Sequence, residues 1–386
     1  LTCYAESEDG INWVKPNLGV FTFDGSPDNN IVWDLHGASV FIDREEADPN
    51  KRYKAIGFCR RYRNIFVITS PDGIHWDDKH NLEPAAIREN EGTFNVIWDP
   101  HSRVFRAYSI VRFDDRDKRR VICYTESPSL EGPWKDSEPM LEPTHWDDEV
   151  GRRKYGALRA EFHNMSAFRY HNLYLGLVGA LYVTAEQIPG EKKQMPCNGP
   201  IDSQIVYSRD GINWAHADRD RTPAIPRGSA EAFDSGMIAG TAKEPIIDGD
   251  DVHWYYTGCD YTHGEVDLDR KMTRVGRATW KRHRFVALSA PDDGVVTTKA
   301  VPFPDDADGL EVNADARGGQ VQAELCGADG RVLDGFSRED CLPMRSDEQR
   351  WRVRWKAADI STINGDVKLR FVLNQSKLYS FTFRER

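Results

Sequence analysis

Short apolar runs, each closed by Asp, Asn, Pro or Gly, set the rhythm of this chain. They fall in pairs, at 38–42 and 53–58, 94–98 and 104–108, 165–168 and 173–177, 244–247 and 252–256, followed by 274–280. The runs are rich in β-branched and aromatic residues, and no stretch of ten or more residues carries a helical period. The pattern predicts an all-β chain.

A second pattern lies between the pairs. Ser7, Asp9, Gly10 and Trp13 recur at the same spacing as Ser70, Asp72, Gly73 and Trp76, and as Ser208, Asp210, Gly211 and Trp214. A looser copy runs from Ser127 through Glu131 and Gly132 to Trp134. Asp-Gly supplies a side-chain acceptor and a positive-φ residue, so each copy reads as a strand, a tight turn and a packed Trp. The interval between copies holds a four-stranded unit, the size of a propeller blade. We expect the four Trp to stand at equivalent places between sheets. The predicted fold is a five-bladed β-propeller whose first blade is incomplete, because the chain opens on the strand that carries the turn. A missing N-terminal part is the expectation, and a four-bladed ring sealed by residues 1–14 the alternative.

From about residue 288 the Trp turn disappears. Alternating strands at 310–313, 321–325, 351–355, 367–373 and 378–383 predict a C-terminal β-sandwich. The expected division is 1–287, propeller, and 288–386, sandwich.

Composition narrows the function. The 386 residues carry a formal charge of −11, which argues against a nonspecific nucleic-acid binder. No apolar run reaches the ~18 residues of a membrane helix, and no signal peptide opens the sequence. Seven cysteines without a CxxC pair argue against a thiolate zinc site. Phosphate-loop, GxSxG and dinucleotide motifs are absent.

The Gly132-Pro133-Trp134 turn, the Ser-x-Asp-Gly turns and the passage through Gly276-Arg277-Ala278-Thr279-Trp280 into a sandwich resemble the five-bladed glycoside hydrolases. These are families 32, 43, 68 and 117, with the plan closest to family 32. Asp234-Ser235-Gly236-Met237, residues 248–256 and residues 377–381 resemble a family-32-like branch. The Trp-Met-Asn-Asp-Pro, Arg-Asp-Pro and Glu-Cys blocks of family 32 do not stand here, so the resemblance implies no fructan or sucrose specificity. It implies a glycoside hydrolase that acts on a carbohydrate, without nucleic-acid or membrane partners, in a secreted or periplasmic setting. A non-catalytic carbohydrate-binding propeller and a sialidase-like propeller are the alternatives.

Glycoside hydrolysis needs a carboxylic acid for the leaving oxygen and a carboxylate as nucleophile or base. Acids stand just ahead of, or at the start of, each inner strand: Asp34, Glu91, Glu161 and Asp234. Glu161 is the expected general acid, with the other three as base, nucleophile or modulator. In a strand, Arg159, Glu161 and His163 share one face. His36, His163 and His263 are candidates for sugar contact, and a divalent ion among them is the one cofactor expectation. Asn95 and Asn164 suit either vicinal hydroxyls or ties between strands. Trp33, Trp146 and Tyr261 are candidate stacking aromatics, and residues 187–197 a rim loop. The basic stretches 60–63 and 116–120 read as solvated strand ends.

Overall fold

The computed structural model describes residues 1–59, 61–81, 94–112, 119–185, 197–265, 269 and 271–385. The chain forms two compact units, Leu1–Pro245 with Trp254–Ala278, and Ile246–His253 with Thr279–Arg386. The architecture is that of a five-bladed β-propeller, its first blade incomplete, followed by a β-sandwich.

In the first unit, β1 (Thr2–Cys3) pairs with β2 (Ile31–Trp33) in a two-stranded sheet. Two antiparallel four-stranded sheets follow in chain order. One is β3 (His36–Ile42), β4 (Tyr53–Cys59), β5 (Asn64–Ser70) and β6 (Asp77–Asn81). The next is β7 (Phe94–Asp99), β8 (Val104–Arg112), β9 (Arg120–Ser127) and β10 (Glu138–Leu141). After the helix α1 (His145–Tyr155) come β11 (Arg159–Tyr170), β12 (Leu173–Val183), β13 (Ile201–Ser208) and β14 (Trp214–His216). The last sheet strand wholly within this unit is β15 (Met237–Thr241); β16 (Ile246–Asp248) falls in the second unit, and β17 (Asp251–Cys259) and β18 (Thr273–Lys281) each run from one unit into the other. β15 pairs with the Tyr256–Cys259 end of β17.

The repeated turn has one geometry in three copies. The Gly10, Gly73 and Gly211 amides each donate to the preceding Ser hydroxyl at 2.9 Å. Oδ1 of Asp9, Asp72 and Asp210 accepts from the two amides beyond the glycine at 2.7–2.9 Å. Trp76 and Trp214 then donate back to Gly73 and Gly211, and Trp134 to Leu130, at 2.9–3.0 Å. Trp13 and Trp214 share an edge-on Tyr neighbour, Tyr255 and Tyr108, whose hydroxyls donate to Gly10 and Gly211. Gly211 has φ +74°, and a Cβ there would strike Arg106, so the turn requires glycine.

Apolar side chains collect between neighbouring sheets rather than at one centre. Ile56 and Val67 of one sheet meet Val96, Ala107 and Trp134 of the next. Ile97, Ile110 and Ile122 meet Phe162, Val178 and Trp214 in the same way. The inner strands are also tied by hydrogen bonds. The Val96 amide donates to Ser39, the Ala167 amide to Asn95 Oδ1, and Asn164 Nδ2 to the Ala239 carbonyl, at 3.0, 2.9 and 3.0 Å.

The sequence pattern gave no helix, and α1 corrects it. Thr144 and Asp147 form a capping box and Gly156 ends the helix in the left-handed region. Its segment is strongly polar, with Asp147, Val150 and Gly151 its only buried residues, so no apolar stripe announced it.

In the second unit the strands expected at 367–373 and 378–383 are one, β24 (Asp366–Glu385). Its first half pairs with β22 (Gln320–Gly327) and its second half with β21 (Ala307–Asp315); Gln375, at φ +42°, marks the change. β19 (Leu288–Thr297), β20 (Val301–Pro302) and β23 (Asp347–Arg352) complete the sheet. Leu310, Val312, Leu325, Leu369 and Phe371 lie in a single apolar core.

Candidate active site

The inner strands begin where the charged residues gather. Glu161, the third residue of β11, is fully buried and meets three guanidinium groups. Arg120 Nη1, at the start of β9, donates to Oε2 at 2.9 Å. Arg159, two residues away on the same face of β11, donates from Nε to Oε1 at 2.9 Å, with Nη2 at 2.8 Å. Arg112, the last residue of β8, brings Nη2 to 3.8 Å of Oε2. Alternation along β11 places Arg159 and Glu161 on one face, as the sequence suggests, and a β-bulge between Phe162 and Asn164 interrupts it at His163.

Arg120 also donates to the Cys197 thiol at 3.0 Å. Cys197 in turn meets His263, whose Nδ1 lies 3.1 Å from the Cys197 carbonyl and 3.8 Å from its sulfur. A carbonyl only accepts, so Nδ1 carries the proton in that contact. His263 stands edge-on to His163 at 4.7 Å between centroids. Burial first, then the charges of His263, Arg120, Arg112 and His36, push His163 well below its ordinary range. The residue is half-buried, and that enclosure is enough to disfavour its charged form. His163 is therefore neutral at pH 7.

The other expected residues have different surroundings. Asp34 is half-buried with the Cys59 thiol at 3.8 Å, and His36, two residues on, is within electrostatic reach of His163. Asp234 is buried and accepts from Tyr256 at 2.8 Å, beside the stacked Phe233. Asn95 and Asn164 use their amides between inner strands, as described above. Asn164 Nδ2 also lies 3.4 Å from His163 Nδ1. Trp33 packs against the cluster of Leu35 and Phe66. Trp146 lies between the guanidiniums of Arg153 and Arg219 and donates to the Arg219 carbonyl. Tyr261 shares a hydrogen bond with Thr273 at 2.9 Å. Glu91 lies outside the described residues, as does the rim loop except Cys197.

Three site residues, Arg112, Arg120 and Cys197, were misread or missed in the sequence. The stretch ending at Arg120 reads as solvated, but Arg120 is buried against Glu161 and Arg119 pairs with Asp148 at 3.0 Å. The signal was its position as the first residue of a strand whose next three residues, Val121, Ile122 and Cys123, are all buried. Cys197 carries no sequence signal beyond its place in the loop. Among the described residues, no three His, Cys, Asp or Glu side chains come together as a metal site.

No protein-family model matches the chain, and no curated protein does. Solved structures are similar to it at low identity. A thermostable family-43 glycoside hydrolase is 16% identical, covers 64% of this chain and 68% of its own, and has a TM-score of 0.39. A structure described as a glycoside hydrolase is 13% identical over 71% and 76% of the two chains, TM-score 0.46. The exo-β-1,3-galactanase of Phanerochaete chrysosporium, with galactose, is 9% identical over 92% and 96%, TM-score 0.31.

Proposed function

We propose that the first unit is a glycoside hydrolase that cleaves a terminal glycosidic bond where its inner strands begin. The observation that carries this reading is the cluster itself: Arg112 and Arg120 from one blade, Arg159, Glu161, His163 and Cys197 from the next, and His263 from the last. Buried ionisable groups contributed by several blades are costly to the fold unless they are used.

The geometry alters the expected division of labour. Both Glu161 oxygens accept from guanidinium groups, so a carboxyl proton has no place between them. Glu161 is better suited to hold the arginines than to protonate a leaving group. We assign the proton to His263: its Nδ1–H is anchored on the Cys197 carbonyl, and the ring protonated at Nε2 as well is the donor to the leaving oxygen. Asp34 and Glu91 remain the candidates for nucleophile or base, and Asp234, held by Tyr256, is assigned a structural role.

The test pairs two substrates. His263→Gln lowers turnover on a glycoside with a poor leaving group by about 10²-fold or more and spares an activated aryl glycoside, which needs little protonation. Glu161→Gln lowers both alike. Equal loss on both substrates for His263→Gln removes it as the acid. A second reading, sugar binding without cleavage, is favoured by the fully engaged Glu161. It predicts saturable sugar binding with no product released from any glycoside in a broad screen.

A further inference from the structure

The second unit holds a cavity of its own. Midway along β24, Lys377 stands opposite Ser289 of β19 on one edge and opposite Asp315 of β21 on the other. Residues directly opposite one another in antiparallel strands share a face, so Ser289, Lys377 and Asp315 form a polar row across three strands. Beside this row β24 bends at Gln375, and β19 answers with a bulge between Ala290 and Asp293. Bend and bulge open a cavity of about 440 Å³, lined by the row together with Gln375, Pro291 and Arg317. That volume is within the range of small-ligand sites.

Two features set the cavity apart from an ordinary surface notch. Gln375 has φ +42° inside a strand, whereas the other non-glycine residues of positive φ, among the described residues, lie outside strands. That backbone suits glycine, and a Gln held there carries strain. Lys377 faces a carboxylate in register yet does not pair with it, because Arg317 already takes both Asp315 oxygens, at 2.9 and 2.6 Å. Among the described residues, the side chains of Ser289, Gln375 and Lys377 make no hydrogen bond or ion pair.

The lining decides the ligand class. A compact anion would meet the Asp315 carboxylate, and a cation would meet Lys377 and Arg317. Ala290 and Pro291 give little surface to an apolar ligand. Vicinal hydroxyls, which donate and accept at several points, fit the set: Lys377 donates, Asp315 keeps lone pairs to accept, and Gln375 and Ser289 do both. We propose that the second unit binds a neutral saccharide at this bend, with Lys377 and Gln375 as its principal contacts. Arg317, Gln375 and Lys377 are exposed, so the outer side is open to a longer saccharide chain. Such a site shares no residue with the cluster of the first unit and needs no catalysis there.

The experiment is hydrogen–deuterium exchange of the full chain with and without cellotetraose, xylotetraose, mannotetraose or galactotetraose, paired with calorimetric titration of the same probes and of inorganic sulfate. At least one saccharide slows exchange in segments 315–319 and 374–377. Lys377→Met and Gln375→Gly each weaken its binding about fivefold, the weight of one hydrogen bond. Gln375→Gly leaves the urea midpoint unchanged or raises it, because glycine accepts that φ without strain, so its loss of binding is not a loss of fold. Saccharide binding that protects neither segment and ignores both variants overturns the second-unit site and leaves the carbohydrate reading of the first unit standing. Binding of sulfate in place of every saccharide, or of no probe at all, overturns it as well.

Discussion

The two units bury different things. Asp99, Arg106, Arg120, Asp147, Glu161, Asp202 and Asp234 are the buried charged residues of the first unit, and Glu324 is that of the second, among the described residues. In the second unit one apolar core gathers β21, β22 and β24, and charge stays at its margin. In the first unit the apolar contacts are divided among the spaces between blades. That division leaves the ends of the inner strands free of an apolar core, and there polar groups from several blades meet. Stability in a dry core comes from area removed from water. In the ionic cluster it depends on each charge keeping its partner. The unit with the divided core is the one with something for chemistry to use.

The sharpest way to break this comparison is to remove one partner from the cluster. Arg120→Met leaves the buried Glu161 carboxylate without its 2.9 Å donor and costs about 3–5 kcal/mol by denaturant unfolding. A cost below about 1 kcal/mol for Arg120→Met would show that the cluster is solvated and the contrast false.

The matching change in the dry core is Leu325→Ala, at a fully buried position. It costs about 3 kcal/mol from lost transfer energy and the cavity. Leu325→Met costs less than about 1.5 kcal/mol, since a dry core accepts a substitute of similar volume. Arg120→Lys does not share that tolerance, because a shorter, flexible stem does not hold its nitrogen where Nη1 reaches both Glu161 and Cys197.

Acid should separate the two units next. His216 is buried with its ring tilted against Phe162, with Asp147 at 3.9 Å and Arg221 beyond it, and burial pushes it down to about 4, with the Arg221 charge adding and Asp147 opposing. The unfolded chain takes up that proton near pH 6.5 and the folded chain only near 4, so stability is full above 6.5 and falls as pH falls through this window. By pH 5 the loss is about 2 kcal/mol, and the depressed His163 acts in the same direction. Melting temperatures between pH 7 and 5 measure it, and His216→Phe flattens the slope. An unchanged slope in that variant would discard His216 as the source.

Much of the fold was legible because strands and turns are local. Apolar runs separated by Asp-Gly turns marked the blades, since a period-two pattern and a turn chemistry both act within a few residues. The face shared by Arg159 and Glu161 was legible for the same reason, whereas the bulge at His163 was not. The partners of that face were not. Arg120 lies 41 residues before Glu161 and Cys197 lies 77 after Arg120, and only closure of the sheets brings them together. The apolar run that follows Arg120 marks a strand start, but nothing local names the carboxylate an Arg there will meet. Helix α1 escaped because its stability comes from caps and its N-terminal Asp147, which Arg221 holds at 2.7 Å, rather than from an apolar stripe.

The smallest effect tests the repeat that defines the first unit. Asp210→Ala removes the acceptor for the Ile212 and Asn213 amides and for the Asn213 side chain, all within 2.8 Å. These bonds to the ionised form hold Asp210 well below the usual carboxylate range, although its partial burial opposes them. Loss of such a cap costs about 1 kcal/mol. Asp72→Ala should cost a similar amount, since His75 there takes the place of Asn213 with the same 2.7 Å contact. Asp9→Ala should cost less, because Asp9 is exposed and Trp13 is about half-exposed, so its turn closes over less packed surface. Urea midpoints of the three variants rank the turns, and a larger loss at Asp9 than at Asp210 would mean that the first turn anchors more of the unit than its packing indicates.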